Sequence, residues 1–403
     1  MHVAVLGGGL QGCCVAMALA EKGARVTLFD RNTDLLTRAA VANEGKIHLG
    51  YMYAGDSTLN TARMMMQGAL AFAPFLSKHL GVSYKSFEIS KPAVYVVHRH
   101  SQKSADEVQA YICAVHSLIQ EAAANLNGAY FGVDLQQMIH SWSSSELDRE
   151  LNPEEICGAF TSPEVAIDPV ALARLIRSRI EQTPSIDLRL EHTVTSVEQD
   201  TDLEVVSSAS QEIHREKFDQ VVNALWDGCL AIDSTMGLLP GRPWIHRLKY
   251  GVQFRPPAGA QVERSITIVL GPFGEVVSYG NGSVYLTWYP DCLRSLTREV
   301  QPPDWPTSPS EPLRAQILQG TFNALSAILP ALGECGFKAL TDVVVRGGPI
   351  VAWGETDIHD PGSELHRRFE IGVTSVGRYH TVDPGKLTMA PFFAHECATR
   401  IAG

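Results

Sequence analysis

The first 31 residues constrain this chain more than any other stretch. Residues 3–6 are an apolar run of strand length, and Gly7-Gly8-Gly9-Leu10-Gln11-Gly12 has G-x-G-x-x-G spacing. An apolar helical pattern follows, and a second strand, Arg25–Phe29, ends at Asp30. In such a device Gly7 permits a tight turn, Gly9 lets the backbone approach a pyrophosphate, and Gly12 lets the helix pack closely on the strand. The helix amino terminus then faces the diphosphate. Asp30 follows Gly12 by eighteen residues, where a carboxylate accepts hydrogen bonds from a ribose diol. An adenine dinucleotide is the expected ligand, with Leu10, Gln11 and Arg31 beside it.

At 403 residues the chain can bury a full core and is long for one domain, so two domains are expected. Its 33 basic and 44 acidic residues give a net charge of −11, which argues against a nucleic-acid or anionic-membrane surface. The eight cysteines are scattered, with no C-x-x-C pair and no His/Cys cluster at metal-ligand spacing. Reduced thiols in a cytoplasmic protein are the simplest reading, with Cys13 and Cys14 as packing residues of the first helix. The apolar stretch 10–20 has no basic leader, contains a glycine and closes at Glu21-Lys22, unlike a secretory signal. No run approaches the roughly 18 apolar residues that a membrane span requires. The protein is expected to be soluble.

Apolar residues fall at helical spacing over 58–80 and 105–126, whereas 84–98 shifts to short alternating runs that suit a strand entering another domain. Ile167-Asp168-Pro169 opens a helix to about residue 182, with Asp168 as N-cap. Strands at 186–190, 194–199, 204–207 and 220–224 are expected to return the chain to the nucleotide domain. A second excursion covers 239–340, with strands at 250–254, 266–270 and 283–288. Within it lie an exposed loop carrying five prolines (301–312) and a helix (313–329). From residue 341 the chain reads strand, loop, strand, then a helix beginning near Lys386.

Three later segments point from a generic dinucleotide to a flavin. Asn43-Glu44-Gly45-Lys46-Ile47-His48-Leu49-Gly50-Tyr51-Met52-Tyr53 has the spacing N-x-G-x-I-H-x-G-x-x-Y. It resembles the flavin-side loop of L-2-hydroxyglutarate dehydrogenases, and glycerol-3-phosphate dehydrogenases keep its His and Gly. Val221-Val222-Asn223-Ala224, followed by Trp226, resembles the V-V-N-A-x-G strand of the D-amino-acid oxidase superfamily, which passes the adenine and diphosphate half of FAD. Leu225 and Trp226 stand where Ala and Gly are commoner. The stretch 377–388 (Gly377-Arg378-Tyr379-His380 through Gly385-Lys386-Leu387-Thr388) resembles the superfamily's closing motif, with a glycine-oxidase-like G-x-Y start and a G-K-x-T end. In those enzymes the final helix points its amino terminus at the flavin pyrimidine, where its dipole stabilises developing negative charge, and Lys386 would add a full charge.

The resemblance implies an α/β fold, α+β overall, in which a Rossmann-like FAD-binding domain is interwoven with a mixed-sheet substrate domain. The FAD-binding domain would take residues 1–83, 160–238 and 341–403, and the substrate domain residues 84–159 and 239–340. Asn43, Gly45, Ile47, His48, Asn223, Ala224 and the 385–388 turn would join the glycine loop around FAD. The implied reaction is hydride transfer to flavin N5 from the α carbon of a small hydroxy or amino acid, with oxygen or a quinone as electron acceptor. No recognised flavin-attachment cysteine is present, so the FAD is expected to be non-covalent.

An imidazole titrates ordinarily at about 6.5, so His48 would accept a substrate hydroxyl proton, or else only hydrogen-bond the backbone or flavin. Arg346 and Arg378 fall where glycine and D-amino-acid oxidases place carboxylate-binding arginines, whose fork fixes the substrate relative to the flavin. Each could equally be a structural ion pair. Tyr379 and His380 would be neighbours of the site. The run Asp357-Ile358-His359-Asp360 offers an Asp/His pair with no further metal ligand at useful spacing and reads as a polar loop, so no metal is expected. Met64-Met65-Met66 reads as core packing. An alcohol donor needs a base and an amine does not, so His48 favours a hydroxy acid while the G-x-Y start favours an amine. The donor atom stays open, as do the acceptor and the oligomeric state. An NAD(P)H-dependent flavin monooxygenase shares the amino-terminal device but lacks a visible second acidic-glycine motif here. A non-catalytic flavin-binding protein is the other rival, opposed by the intact glycines, Asp30 and Gly385-Lys386.

Overall fold

The apolar run at the amino terminus becomes the central strand of a six-stranded sheet in the computed structural model, which describes residues 1–124, 126 and 129–403. The order across this sheet is Gly372–Val376, Tyr379–Asp383, Gln220–Asn223, His2–Leu6, Arg25–Phe29 and Ile186–Arg189. Every neighbouring pair is parallel except the outer hairpin of Gly372–Val376 with Tyr379–Asp383. Val3, Ala4, Val5 and Leu6 are all fully buried, as a parallel strand covered on both faces requires. The helices Leu10–Glu21 and Ala390–Ala402 pack against each other, and Asn60–Leu80 packs on the second of them. Cys13 and Cys14 are buried in this layer, and burial pushes both thiols up. Asp168 caps Pro169–Glu181 by accepting from the backbone N–H groups of Val170 and Ala171.

A nine-stranded mixed sheet forms the other half. Its order is Leu293–Thr297, Trp244–Arg255, Val284–Trp288, Gly274–Ser278, Ser265–Ile268, Ala93–His98, Ile156–Thr161 and His140–Ser141, with Thr341–Trp353 also paired to Trp244–Arg255. Only Ser265–Ile268 with Ala93–His98 is a parallel pair. Two expected boundaries move. Thr341–Trp353 lies antiparallel to Trp244–Arg255 from Trp353↔Trp244 to Thr341↔Arg255, so the chain leaves this sheet after residue 353 and not at 341. Residue 160 falls inside Ile156–Thr161 of the same sheet. Val345 joins the core with Val252 and Phe254, which explains why the strand is held here.

The strands expected near 194 and 204 form a separate antiparallel meander, Thr193–Gln199, Leu203–Ala209 and Glu212–Phe218. The last of these was not anticipated: its charged alternation buries only Phe218. The closing helix starts at Ala390, after a 3-10 turn at Leu387–Met389, because Pro391 suits the first turn and has no N–H to donate deeper in. The helix expected over 105–126 is Ala105–Ala123, and part of that expected range, Asn125, lies outside the described residues. Among the described residues no helix is long and apolar enough to cross a membrane.

Candidate active site

A cleft opens between the two sheets at the carboxyl ends of the parallel strands, the place where open α/β sheets take ligands. One wall is the glycine turn. A Cβ on Gly12 would lie 1.8 Å from the Gly7 carbonyl oxygen, and one on Gly7, at φ +100°, would lie 2.7 Å from that of Ala224. Gly9 differs, because nothing lies within 4 Å of where its Cβ would be. It caps Leu10–Glu21 with no side-chain acceptor for the first-turn N–H groups, and the buried Gln11 Oε1 also lacks a partner. Asp30 accepts from Gly8 N at 2.8 Å through Oδ2, and from Asn32 N and Nδ2 at 2.8 and 2.7 Å through Oδ1. Leu10, Gln11, Asp30 and Arg31 line the cleft with Gly7 and Gly9, while Gly12 serves the packing behind it.

The 43–53 loop enters next. Asn43 lines the cleft and folds the loop, donating to the carbonyls of Ala39 and Ala40 while its Oδ1 accepts from Gly45 N. Gly45 packs on the Ile167 carbonyl and Ile47 is fully buried in the core, so both support the loop from outside the lining. His48 lines the cleft with its ring almost fully buried. Its backbone N–H donates to Thr388 Oγ1 at 2.9 Å, so Thr388 ties this loop to the carboxyl-terminal turn instead of lining the cleft. Nδ1 stands 3.3 Å from Glu164 Oε1 and Nε2 3.9 Å from Glu44 Oε1, neither aligned as a hydrogen bond. Burial pushes the Glu164 carboxyl up, but His48, Lys46 and the Tyr95 hydroxyl outweigh it and hold the group below its ordinary range. Burial is likewise outweighed at Glu44, where Lys249, Lys386 and His48 hold the carboxyl well below the usual range.

The opposite wall comes from the strand Trp244–Arg255. Leu248, Tyr250, Val252 and Phe254 point into the second core, so the alternation turns Arg247 and Lys249 toward the cleft. Arg247 is fully buried, and its Nε and Nη1 have no hydrogen-bond partner. Lys249 Nζ is 3.5 Å from Glu44 Oε2 and 5.5 Å from the centre of the Tyr289 ring. Arg368 reaches the cleft from the loop after Trp353, held by its Nε to the Leu365 carbonyl at 3.2 Å. Lys386 completes the rim with Gly385 and Leu387, and burial lowers its pKa to about 8. Sequence reasoning missed Arg247, Lys249, Arg368, Tyr289, Glu44 and Glu164. The sequence holds only a weak signal for two of them, basic residues at alternate positions beside the apolar Leu248 and Tyr250, and strand pairing decides which face they take.

Three expected catalytic side chains lie elsewhere. Arg378 is half-buried in the turn before Tyr379–Asp383, its Nη2 donating to the Thr201 carbonyl at 2.6 Å. That turn is at the amino end of a parallel strand, and the cleft is at the carboxyl ends. Tyr379 is buried beneath the sheet, where its hydroxyl donates to Asp233 Oδ1 at 2.7 Å and accepts from Asn223 Nδ2 at 3.0 Å. Asn223 is therefore a support below the cleft, and the next residue, Ala224, lines it. Arg346 pairs with Gly251, two register pairs beyond Lys249↔Gly348, off the lining, with Nη1 3.4 Å from the Val41 carbonyl. His380 bonds Ser375 and Gln220, and burial lowers its pKa to about 4. Trp226 takes φ +60° and bonds the Pro349 carbonyl at 2.8 Å, so the departure from the usual small residues ties the two halves together beside the cleft.

The family described as DAO, FAD dependent oxidoreductase, matches residues 2–356. Over 53 residues the chain is 40% identical to FAD-dependent monooxygenase FPY4 of Fusarium mangiferae, a match that spans 13% of this chain and only 14% of that protein. The fold is similar to glycine oxidase from Geobacillus kaustophilus, with TM-score 0.69, 13% identity, and 99% and 94% of the two chains covered. Iminodiacetate oxidase from Chelativorans sp. BNC1 superposes with TM-score 0.68, at 16% identity over 98% and 94% of the chains. FAD-bound L-alpha-glycerophosphate oxidase from Mycoplasma pneumoniae gives TM-score 0.64, at 16% identity over 100% and 94%.

Proposed function

This chain belongs to the DAO family of FAD-dependent oxidoreductases, and from that premise we propose that it oxidises the α C–H of a small α-amino or α-hydroxy acid whose carboxylate is held by Arg247. FAD is the cofactor, and when bound it supplies the two-electron acceptor for that C–H bond. The first-turn N–H groups behind Gly9 would hold its diphosphate, Asp30 its ribose, and Lys386 its pyrimidine edge.

The observation that carries the substrate reading is the Arg247 guanidinium, buried without a counter-ion at the cleft wall. An uncompensated buried charge is strongly destabilising, and a bidentate carboxylate offsets that cost while fixing the orientation of the α carbon. His48 is the proton acceptor for a hydroxyl donor, and the flanking carboxylates of Glu164 and Glu44 stabilise the imidazolium that results. An amine donor leaves His48 only a positioning role. Oxygen or a quinone then takes the electrons away.

Anaerobic bleaching of the bound flavin against a panel of amino and hydroxy acids tests this reading, since it identifies a donor without assuming an acceptor. At least one acid should bleach the flavin. Arg247→Met should slow that reduction by at least about 30-fold with FAD still bound, the usual minimum for truncating one partner of a buried charge pair. Rapid bleaching by NADPH with no acid present would overturn the proposal in favour of a monooxygenase.

A further inference from the structure

The cations along the cleft are unevenly paired. Lys249 faces Glu44 at 3.5 Å, Lys46 faces Glu275 at 3.0 Å, Arg38 faces Asp227 at 3.4 Å and Arg31 faces Asp304 at 3.2 Å. Among the described residues, neither Arg247 nor Arg368 has a carboxylate oxygen within 4.0 Å. Both are buried, and both border the same cleft from different elements. Arg368 is also firmly placed: its own N–H donates to Thr61 Oγ1 at 3.0 Å and its Nε to the Leu365 carbonyl. Burial lowers the Arg247 pKa; Tyr289 and the more distant Asp357 oppose that, while the Arg368 charge adds to it, so the two guanidiniums repel each other across the space between them.

One carboxylate neutralises one of these charges. The Lys386 ammonium stands on the Gly385 turn assigned above to the cofactor, which leaves Arg368 for the substrate. We propose that the substrate carries a second acidic group, carboxylate or phosphate, at the end remote from its α carbon, and that Arg368 binds it while Arg247 holds the α-carboxylate. This rests on the reading above and narrows it from small acids in general to dianionic ones. A substrate with an apolar tail would leave Arg368 desolvated and unpaired, which selects against it.

Titration of the FAD-loaded protein with acids that cannot be oxidised tests the proposal, read from the shift of the flavin visible band. Glutarate and 3-phosphonopropionate supply the two kinds of second group, and butyrate supplies a chain with one carboxylate. Either dianion should bind at least tenfold more tightly than butyrate, and whichever binds better names the second group. Arg368→Met should remove that advantage, and Arg247→Met should weaken all three acids. Equal affinity of butyrate and both dianions in the wild-type protein would overturn the proposal, as would binding of none of them, and that comparison needs no variant to fold. Loss of FAD from Arg368→Met would also overturn it by assigning the arginine to the cofactor. Tight dianion binding with no acid bleaching the flavin would sink the oxidation reading alone. Bleaching by monocarboxylic and dicarboxylic donors with equal efficiency would sink only the dianion.

Discussion

The two walls of the cleft are built by opposite means. The glycine wall is one contiguous segment that presents backbone N–H groups and empty space at Gly9. The facing wall presents side-chain charges delivered by a strand, a long loop and the carboxyl-terminal turn, at Arg247, Arg368 and Lys386. A diphosphate common to every dinucleotide can be gripped by main chain. A particular acid has to be recognised by side chains, which change without disturbing the fold.

The largest effect should separate packing from ligand contact within the glycine wall. Gly12→Val places new atoms on the Gly7 carbonyl and should cost several kcal/mol, seen as loss of soluble protein or a large drop in Tm. A Cβ at Gly9 meets no protein atom within 4 Å, so Gly9→Val should fold with a Tm far nearer native than Gly12→Val and yet retain no FAD. Full FAD occupancy in Gly9→Val would show that this wall is not the cradle.

The next effect probes Lys386, where the walls meet. Its pKa in the fold is about 8, against 10.5 ordinarily, so between those values the unfolded chain binds more protons and stability rises with pH. FAD-free protein should therefore gain up to about 3 kcal/mol from pH 8 to 10.5 relative to Lys386→Met, measured by denaturant titration. An identical pH slope in the variant would mean that burial does not hold this lysine. The smallest effect is at the far end of the sheet. Arg378→Ala should cost no more than about 1.5 kcal/mol, the net worth of its one hydrogen bond, and leave FAD retention and flavin reduction as they were, because the residue is remote from the cleft. A large loss of flavin reduction would restore it to the site.

The same contrast governs what could be read from the sequence. The glycine turn, Asp30 and the Asp168 cap are local, so their spacing alone carries their structure. His48 was legible because its loop is a short contiguous pattern that reaches the cleft. Arg247 was not, because the face its strand presents depends on pairing with Thr341–Trp353, about a hundred residues later. Arg378 was misplaced for a related reason: the closing motif spans a whole strand, and only register shows that its Gly385-Lys386 end meets the cleft while its Arg378-Tyr379 end does not. Asn223 and Tyr379 sit on motifs close to the cleft, yet they act as props beneath it.

The six-stranded sheet draws its strands from residue 2 to residue 383, and its central strand pairs on one side only with Gln220–Asn223. During synthesis at ~5–20 residues per second, His2–Leu6 therefore waits roughly 10–45 s for that partner, and the sheet roughly 20–75 s for its edge hairpin. Through that interval an apolar strand has an open edge, which is a template for the wrong neighbour. The arrangement that lets distant segments meet at one cleft thus exposes the nascent chain to aggregation, and its yield in a cell should depend more on chaperone supply and growth temperature than the stability of the finished fold would suggest.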